Sequence, residues 1–495
     1  MKFICSISIS LVLLALNSNA YTAELPAAVL DALHKAKIPL SSVGIIVKEV
    51  NALSPLIDLN AKQAMNPAST LKLLTTFGAL EILGPAYSWR TEAYIDGKLD
   101  DGILNGNLII KGYGNPKFTS EHLWLWLREL RNRGLREIHG ELILDHSAFA
   151  LETNDPAAFD NDPLRAYNVS PDALLLNFNA IRIRFIPEAG RVNIFTEPTL
   201  AGVTIENRLS LKNQRYCGDW DANIKISLSG SGNGIRVQGT YPSACGEHDK
   251  AISLLDHTRY FDAVFRSIWQ EMGGTLHGKT HDGSVPASAV LFATHTSQPL
   301  SEVIRDINKY SNNVMARQVY LSLSLPKEAP NINMPANLSL NGSAQSNYML
   351  TNYLPPASIA LSETTLRNWI YKKGYDFPEL IIDNGAGLSR ISRISPYNIS
   401  LLLRDILLSP FSAEIEASLP IVGVDGTMKK RHDNCSVTAH AHLKTGSLEG
   451  VKSIAGYLQS HTGKKWIIVF IINHPNASRG QQAQDELIEW LEETF

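Results

Sequence analysis

A chain of 495 residues is too long for one hydrophobic core of ordinary size, so we expect two or three domains. The composition, with 44% hydrophobic and 19% charged residues, is typical of a soluble globular protein. A formal net charge of −3 and the lack of a basic run argue against nucleic acid as a partner and against a polyanionic substrate.

The first twenty residues have the pattern of a secretory signal peptide. Met1-Lys2 is followed by a largely apolar run from Phe3 to Leu16 and then by Ser18-Asn19-Ala20, which predicts cleavage after Ala20. The apolar run is too short to span a membrane, and Cys5 lacks the small neighbours that precede a lipid-modified cysteine. We therefore expect an exported chain without a stable membrane anchor.

Three cysteines remain after that cleavage: Cys217, Cys245 and Cys435. In an exported chain, Cys217 and Cys245 could form a disulfide bond and leave Cys435 as a free thiol. A chain with three thiols is the alternative.

A short hairpin leads into the first chemically suggestive stretch. The apolar runs Val43 to Val47 and Pro55 to Leu59 predict two strands, and a helix is expected directly afterwards, over Leu73 to Leu83. Its apolar residues recur at helical spacing, and Gly84-Pro85 is typical of a helix end. This predicts that Ser69 lies in the first turn of a buried helix.

Lys72 follows Ser69 by three residues, so both side chains share one helix face. Burial would lower the pKa of the lysine and allow it to act as a base, which is how a serine becomes a nucleophile without histidine. The same Ser-x-x-Lys pattern occurs at Ser324 to Lys327, but Pro326 is unfavourable inside a helix. The helical context therefore favours Ser69.

In the middle of the chain the sequence pattern changes from one typical of helices to one rich in predicted strands. Strands broken by glycine and an amphipathic helix over Ser120 to Arg133 predict an α+β module. Short β segments from residue 174 to 255 predict an all-β module, within which the glycine-rich run Ser229 to Gly234 is expected to be a turn and not a phosphate loop. A helix over Arg259 to Gly273 and a strand over Ala287 to Ala293 lead back.

Ser311 and Asn313 lie two residues apart at a predicted break between helices. In such a place both side chains can enter one cleft, where the serine relays a proton and the asparagine amide binds a substrate carbonyl. Two other Ser-x-Asn matches begin at Ser231 and Ser339, so order along the chain favours Ser311. Residues 325 to 354 are predicted to be a long surface insertion.

The run Lys444-Thr445-Gly446-Ser447 lies on a predicted strand. Gly446 would let a substrate backbone approach closely and pair with the strand edge. A zinc site is an alternative use of this region, with four nearby candidate ligands, His432, Cys435, His440 and His442. We expect neither a metal ion nor another cofactor.

Ser-x-x-Lys, Ser-x-Asn and Lys-Thr-Gly, in this order, resemble the three motifs of the penicillin-binding proteins and serine β-lactamases. The long separation of Lys72 from Ser311 requires modules inserted between the first two motifs. With Gly423 to Thr427 and Asn384 to Arg390, the layout resembles D-alanyl-D-alanine carboxypeptidase/endopeptidases of the penicillin-binding protein 4 type. Asn115, Ala386 and the segment after Leu325 depart from the family pattern.

This resemblance implies an α+β fold in which an antiparallel sheet with helices forms the catalytic domain. It implies the following division: a catalytic domain of residues 21–90 and 300–495, an inserted α+β domain of 91–173 and 256–299, and an inserted β domain of 174–255. It also implies a periplasmic enzyme of bacteria that acts on peptidoglycan stem peptides and is inhibited by β-lactam antibiotics.

The resemblance further implies a role for each motif residue. Ser69 would attack the D-Ala-D-Ala carbonyl, Lys72 would accept its proton, and Ser311 would pass a proton to the leaving amine, leaving an acyl-enzyme. Lys444 would supply positive potential, and Thr445 and Ser447 would bind the terminal carboxylate. The backbone N–H groups of Ser69 and Ser447 would form the oxyanion hole.

The resemblance also implies an acidic residue that meets the free amine of a diaminopimelate side chain, and Asp145, at the end of a predicted strand, is the candidate. Two other functions remain open. A Ser-His-Asp hydrolase is disfavoured because the chain has no Gly-x-Ser-x-Gly elbow. An envelope-binding or scaffolding protein with secondary catalysis is the alternative from a different class.

Overall fold

The computed structural model describes residues 24–152, 155–230, 234–325, 355–431 and 437–495. The predicted signal peptide, most of the predicted surface insertion, and His432 and Cys435 of the alternative zinc site lie outside these ranges. Within the described ranges, no helix has the length and apolar character needed to cross a membrane.

The helices within these ranges are α1 Ala27–Lys35, α2 Lys72–Leu83, α3 Ser120–Asn132, α4 His257–Glu271, α5 Leu300–Lys309, α6 Asn313–Ser322, α7 Ile359–Lys372, α8 Pro396–Leu408, α9 Ser412–Ser418 and α10 Gln481–Thr494. Local sequence signals explain several ends. The Ser395 side chain accepts a hydrogen bond from the N–H of Asn398 at the start of α8, and Pro396 occupies the first helical position.

The strands are β1 Val43–Glu49, β2 Ile57–Leu59, β3 Arg90–Asp100, β4 Ile103–Gly112, β5 Glu137–Ile138, β6 Leu142–Asp145, β7 Ile181–Glu188, β8 Arg191–Glu197, β9 Thr204–Lys212, β10 Ile224–Leu228, β11 Gly234–Pro242, β12 His248–Ile252, β13 Thr275–Leu276, β14 Thr280–Asp282, β15 Val290–Thr296, β16 Ala441–Leu448, β17 Val451–Gln459 and β18 Lys465–Asn473. The predicted hairpin of β1 and β2 is confirmed.

A five-stranded antiparallel sheet in the order β16-β17-β18-β1-β2 joins the two ends of the chain. In β18, alternate residues face opposite sides, as the period of a strand requires. Val469 packs with α2, α5, α6, α7 and α8 on one side, whereas Phe470 packs with α1 and α10 on the other. The sheet is therefore buried on both faces, which explains why β18 is apolar almost throughout.

Residues 90–296, from β3 to β15, form what we call the insertion. It contains a seven-stranded sheet with α3 and α4, and two three-stranded sheets in the orders β12-β7-β8 and β10-β11-β9. Apolar side chains from all three sheets and from both helices, among them Phe185 of β7, Trp126 of α3 and Trp269 of α4, form one continuous cluster. The predicted boundaries near residues 174 and 255 fall where the chain passes from one sheet to another, and the division into domains stays a prediction.

The predicted disulfide bond between Cys217 and Cys245 is present, with the two Cα atoms 4.4 Å apart. It connects the loop between β9 and β10 to the turn before β12. The alternative of three free thiols is therefore wrong.

The insertion is bonded to α6. The side chain of Gln318 accepts the N–H of Asp172 at 3.0 Å and donates to the carbonyl oxygen of Asp172 at 2.8 Å. Arg317 donates to the carbonyl oxygen of Val169 at 3.1 Å. Because α6 begins at Asn313, these bonds hold the insertion beside the second predicted motif.

Candidate active site

Ser69 lies in a 3-10 turn, Ala68–Leu71, that runs directly into α2, so the predicted helical turn is present but is tighter than an α-helix. Ala68 has φ 47°, a conformation that residues other than glycine rarely adopt. The side chain of Asn66 stabilises the turn by accepting the N–H of Ala68 at 2.9 Å. The turn presents the Ser69 hydroxyl at the surface of an otherwise buried element.

Lys72 is fully buried, and its Nζ lies 2.9 Å from Ser69 Oγ. It also donates to Asn313 Oδ1 and to the carbonyl oxygen of Ala386, both at 2.6 Å. Burial lowers the pKa of Lys72 well below its usual value, and the nearby charges of Lys444 and Arg317 lower it further. A neutral amine can accept the Ser69 proton while its own N–H groups stay bonded to Asn313 and Ala386.

Ser311 lies at the break between α5 and α6, as predicted, and has φ 56°. Its Oγ is 2.9 Å from Lys444 Nζ, which also donates to the carbonyl oxygen of Thr445 at 2.8 Å. Lys444 is fully buried, and burial lowers its pKa to about 7. The site therefore contains two serine–lysine pairs, and Lys72 of the first pair also binds Asn313, two residues after Ser311 of the second.

β16 is an outer strand of the five-stranded sheet and carries the Lys-Thr-Gly run. A Cβ atom at Gly446 would come within 2.3 Å of Ser453 Oγ and 2.9 Å of the backbone nitrogen of Ser69. Only glycine therefore lets the strand lie against the nucleophile turn. Thr445 and Ser447 flank this close approach.

Thr427, for which the sequence predicts no role, lies with its Oγ1 2.6 Å from Thr445 Oγ1. An ion pair between the buried Lys309 and Asp425, with an Nζ to Oδ2 distance of 2.6 Å, stabilises its loop. At Gly426, φ is 56°, and a Cβ atom would lie 2.5 Å from the carbonyl oxygen of Lys309. The glycine-rich run from Gly423 to Thr427 can be recognised in the sequence. The contact of Thr427 with Thr445 cannot, because the two residues are 18 positions apart and belong to different elements.

The side chains of the predicted motifs that are accessible, together with Thr427, line one cleft of about 570 Å³. We call one group the cleft floor: Ser69, Ser311, Asn313, Thr445 and Ser447. We call the group from the insertion the cleft wall: Phe159, Asp160, Arg165 and Tyr167. Three further basic side chains, Arg390, Arg431 and Lys452, also line the cleft, together with the acidic Glu449. Arg390 pairs with Glu449 and Arg431 pairs with Asp485.

Asp145, the predicted partner of the diaminopimelate amine, does not line the cleft. Its carboxylate is fully buried and accepts the N–H groups of Ser147 at 2.8 Å and Val285 at 2.9 Å, with Lys111 Nζ at 3.3 Å. Burial alone would raise the pKa of Asp145, but these hydrogen bonds and the Lys111 charge lower it overall. Asp145 connects the end of β6 to the loop of Val285 by a hydrogen bond. The prediction that Asp145 reaches the cleft was therefore wrong.

Asp160 is the carboxylate that the insertion brings into the cleft. Its Oδ2 accepts the Tyr167 hydroxyl at 2.7 Å and Arg165 Nη1 at 3.0 Å, and its Oδ1 accepts the Asn168 amide at 2.8 Å. Burial would raise the pKa of Asp160, but the hydrogen bonds from Tyr167 and Asn168 outweigh it, and the pKa is lowered. The carboxylate therefore stays ionised and fixed in place.

The alternative zinc site gains no support from the described part of the chain. The ring nitrogen Nδ1 of His440 lies 2.9 Å from Glu492 Oε1, and that of His442 lies 3.2 Å from the carbonyl oxygen of Glu416. Both rings line a second cavity, away from Ser69. Among the described residues, the groups of three close potential metal ligands lie elsewhere.

Comparison with known proteins gave consistent matches. The D-Ala-D-Ala carboxypeptidase 3 (S13) family matches residues 25–340 and 333–494. The D-alanyl-D-alanine carboxypeptidase DacB of Haemophilus influenzae is 26% identical over 478 residues, which are 95% of this chain and 91% of the relative. A D-alanyl-D-alanine carboxypeptidase of Actinomadura sp. is 25% identical over 468 residues, covering 90% and 80% of the two chains.

Among solved structures, penicillin-binding protein 4 of H. influenzae superimposes with a TM-score of 0.72 at 24% identity, covering 93% of this chain and 99% of that one. A predatory peptidoglycan endopeptidase of Bdellovibrio bacteriovorus superimposes with a TM-score of 0.51 at 14% identity, covering 91% and 92%. At these identities the likeness is one of fold. It confirms the predicted α+β class with a penicillin-binding-protein architecture.

Proposed function

The chain belongs to the D-Ala-D-Ala carboxypeptidase 3 (S13) family and is a serine peptidase, and on that premise we propose that it cleaves peptidoglycan stem peptides through an acyl-enzyme on Ser69. The observation that carries the assignment is the 2.9 Å contact of Ser69 Oγ with the buried amine of Lys72. Both removal of a terminal D-Ala and cleavage of a cross-link fit this chemistry, because each breaks a bond on the carboxyl side of a D-Ala residue.

Acylation begins when Ser69 Oγ attacks that D-Ala carbonyl and its proton moves to Lys72 Nζ. The negative charge that develops on the carbonyl oxygen is stabilised by the backbone N–H groups of Ser69 and Ser447. A donor of this kind contributes about 3–4 kcal/mol in comparable sites. Asn313, bonded to Lys72 through its Oδ1, has its amide N–H₂ available for the substrate backbone carbonyl.

Departure of the amine requires a proton, and Ser311 is the group that delivers it. Lys444 Nζ, 2.9 Å from Ser311 Oγ, replaces that proton and attracts the terminal carboxylate. Thr445 and Ser447 hydrogen-bond the carboxylate, and Thr427, in contact with Thr445, orients its hydroxyl. Lys72 then releases its proton to solvent, and Lys444 takes one up again. Water attacks the acyl-enzyme carbonyl, its proton moves to the neutral Lys72 and on to Ser69 Oγ, and the bond to Ser69 breaks to release the shortened peptide.

We assign to Asp160 the substrate role predicted for Asp145. Its ionised carboxylate lies in the same cleft as Ser69, where it can pair with the free amine of a diaminopimelate side chain. Arg165 neutralises part of its charge, but Arg165 also binds Asp162, so the three side chains together remain anionic. In this proposal the cleft wall recognises the stem peptide, and the residues of the cleft floor cleave the bond.

The predicted signal peptide supports export, and a peptidoglycan substrate supports a periplasmic location in a bacterium. β-Lactams resemble acyl-D-Ala-D-Ala in having an amide next to a carboxylate, and the strain of the lactam ring makes that amide reactive, so we expect them to acylate Ser69. A solved structure of H. influenzae penicillin-binding protein 4 contains a bound β-lactam, although at 23% identity that likeness to this chain is one of fold.

The test combines labelling with product analysis. The purified chain is incubated with a fluorescent penicillin, and separately with cross-linked and uncross-linked muropeptides whose products are separated by chromatography. We expect a covalent label on Ser69 and release of D-Ala, monomers or both. Binding of muropeptides without label or hydrolysis would instead favour the scaffolding alternative.

A further inference from the structure

Three potential metal ligands meet at an edge of the seven-stranded sheet. Strands β5 and β13 are parallel and align Glu137 with Thr275 and Ile138 with Leu276. The same register places His139 beside His277, one residue beyond each strand. Because alternate residues share a face, Glu137 and His139 point the same way. One ligand atom from each of Glu137, His139 and His277 lies within 4.8 Å of the others.

Both ring nitrogens of His139 face oxygen acceptors. Nδ1 lies 3.1 Å from Asn105 Oδ1, so a proton on Nδ1 can be donated to that amide oxygen. In that tautomer the lone pair of Nε2 faces Glu137 Oε2 at 3.4 Å, and a cation can bind both atoms. Binding of the far ring nitrogen to an acceptor is also how proteins orient histidines that ligate metals.

We propose that Glu137, His139 and His277 bind a divalent transition-metal ion such as Zn²⁺, with water in the fourth position. Ligands about 2.0–2.1 Å from a tetrahedral zinc ion are about 3.4 Å apart, and the Nε2 to Oε2 distance already matches that edge. The rings of His139 and His277 are nearly perpendicular, with centroids 5.2 Å apart, so rotation of the His277 side chain closes the remaining gap. Two imidazoles favour a transition metal over Ca²⁺ or Mg²⁺.

Such an ion would connect the outer strand β13 to its neighbour β5. Each of these strands has two residues, so few backbone hydrogen bonds hold the edge. The metal would therefore stabilise the insertion and is independent of the cleft chemistry. All three side chains are half-buried or exposed, which lets the ion enter from solvent.

The same sheet provides a matched control. His281 Nε2 lies 3.1 Å from Glu141 Oε2, which reproduces the His–Glu pair on the neighbouring parallel strands. Within the described ranges, this pair has no third ligand close enough to complete a metal site. If a histidine and a carboxylate sufficed for binding, His281→Gln would weaken it as much as His139→Gln.

The experiment uses the full exported chain, stripped with a chelator, in a Cys435→Ser background that removes the thiol. Zn²⁺ is titrated by calorimetry, and Co²⁺ is followed by its visible absorption, which reports the ligand set. We expect one ion per chain. Either His139→Gln or His277→Gln should weaken binding by about tenfold or more and change the Co²⁺ spectrum. His281→Gln should change neither.

Fluorescent penicillin labelling of every variant separates this proposal from the proposed function, because labelling should be equal in all of them. The proposal is overturned if the chain binds no Zn²⁺, if His139→Gln and His277→Gln bind it as tightly as the parent, or if His281→Gln weakens it equally. Binding that persists without His139 and His277 would locate the ion elsewhere, for example in the cavity of His440 and His442.

Discussion

The floor and the wall of the cleft are built in different ways. The lysines that activate the floor, Lys72 and Lys444, are fully buried in a helix and a strand of the five-stranded-sheet region. The wall residues Asp160, Arg165 and Tyr167 belong to a loop of the insertion and are more exposed, and they bond mainly to one another. In the proposed function, cleavage belongs to the floor and recognition of the diaminopimelate amine to the wall, so substitutions in the two groups should have separate effects.

The largest effect should come from the nucleophile. Ser69→Ala should abolish penicillin labelling and lower kcat on muropeptides by about 10⁴-fold or more, because no acyl-enzyme can form. Mass spectrometry of the intact protein after exposure to penicillin measures the adduct. Ser324→Ala, in the second Ser-x-x-Lys pattern, is the control and should label normally. A covalent adduct on the Ser69→Ala chain would show that the nucleophile is another residue.

Removal of the base should be almost as severe. Lys72→Ala should slow acylation by about 10³- to 10⁴-fold, since Ser69 and Lys72 act as one unit. Stopped-flow measurement of the acylation rate checks this, with Lys62→Ala, an exposed lysine, as the control. Acylation at more than a tenth of the parent rate would contradict the assignment of Lys72 as the base.

A wall substitution should affect one class of substrate only. Asp160→Asn removes a charge-assisted bond of about 1.5–3 kcal/mol, so kcat/KM on diaminopimelate peptides should fall about 10- to 150-fold. Acylation by benzylpenicillin, which has no such amine, should hardly change. Steady-state kinetics on both substrates measures the difference.

Asp145→Asn is the matched comparison for the wall. Because Asp145 is buried and accepts N–H groups from Ser147 and Val285, its loss should lower the free energy of unfolding by about 1–3 kcal/mol. Urea denaturation measures that loss. Activity per folded molecule should stay the same on both substrates. A selective loss on diaminopimelate peptides in Asp145→Asn, and none in Asp160→Asn, would reverse the assignment.

The smallest expected effect is a change in pH dependence. Burial lowers the pKa of Lys444 to about 7, so its positive charge is present below that pH and is lost as pH rises through it. The kcat/KM for carboxylate-terminated peptides should then fall about tenfold per pH unit on the alkaline side. Lys444→Arg keeps its charge, so its profile should lack this fall, at a lower absolute rate. An identical alkaline fall in both proteins would assign it to another group.

Much of the floor could be predicted because its signals are local. The spacing of Ser69 and Lys72 on one helix face, and the break at Ser311, depend on periodicity and on helix ends. The wall could not be predicted in this way. Asp145 and Asp160 are the same residue type in one module, so residue type does not distinguish them. The buried carboxylate of Asp145 accepts a hydrogen bond from Val285, which is 140 residues away in the sequence. Sequence periodicity carries no information about such a contact.

Other parts of the structure escaped prediction for the same reason. The apolar cluster shared by the three sheets of the insertion, and the position of His139 beside His277, both depend on how distant strands pair. Thr427 lies in a glycine-rich loop that can be recognised from the sequence. The ion pair of Lys309 with Asp425 stabilises that loop, and neither this pair nor the contact of Thr427 with Thr445 has a local signal. Long-range pairing, and not local propensity, decided each of these.

The pairing of β1 with β18, in which Val43 lies opposite Ile472, brings together two segments from opposite ends of the chain. This affects the order in which the parts of the active site can assemble. A chain that emerges from its N-terminus presents β1 and the Ser69 turn early, but their sheet partners arrive last. The insertion is contiguous and can collapse meanwhile. Contacts so far apart in sequence form slowly. The turn of Ser69 therefore gains its sheet partners only when almost the whole polypeptide has emerged.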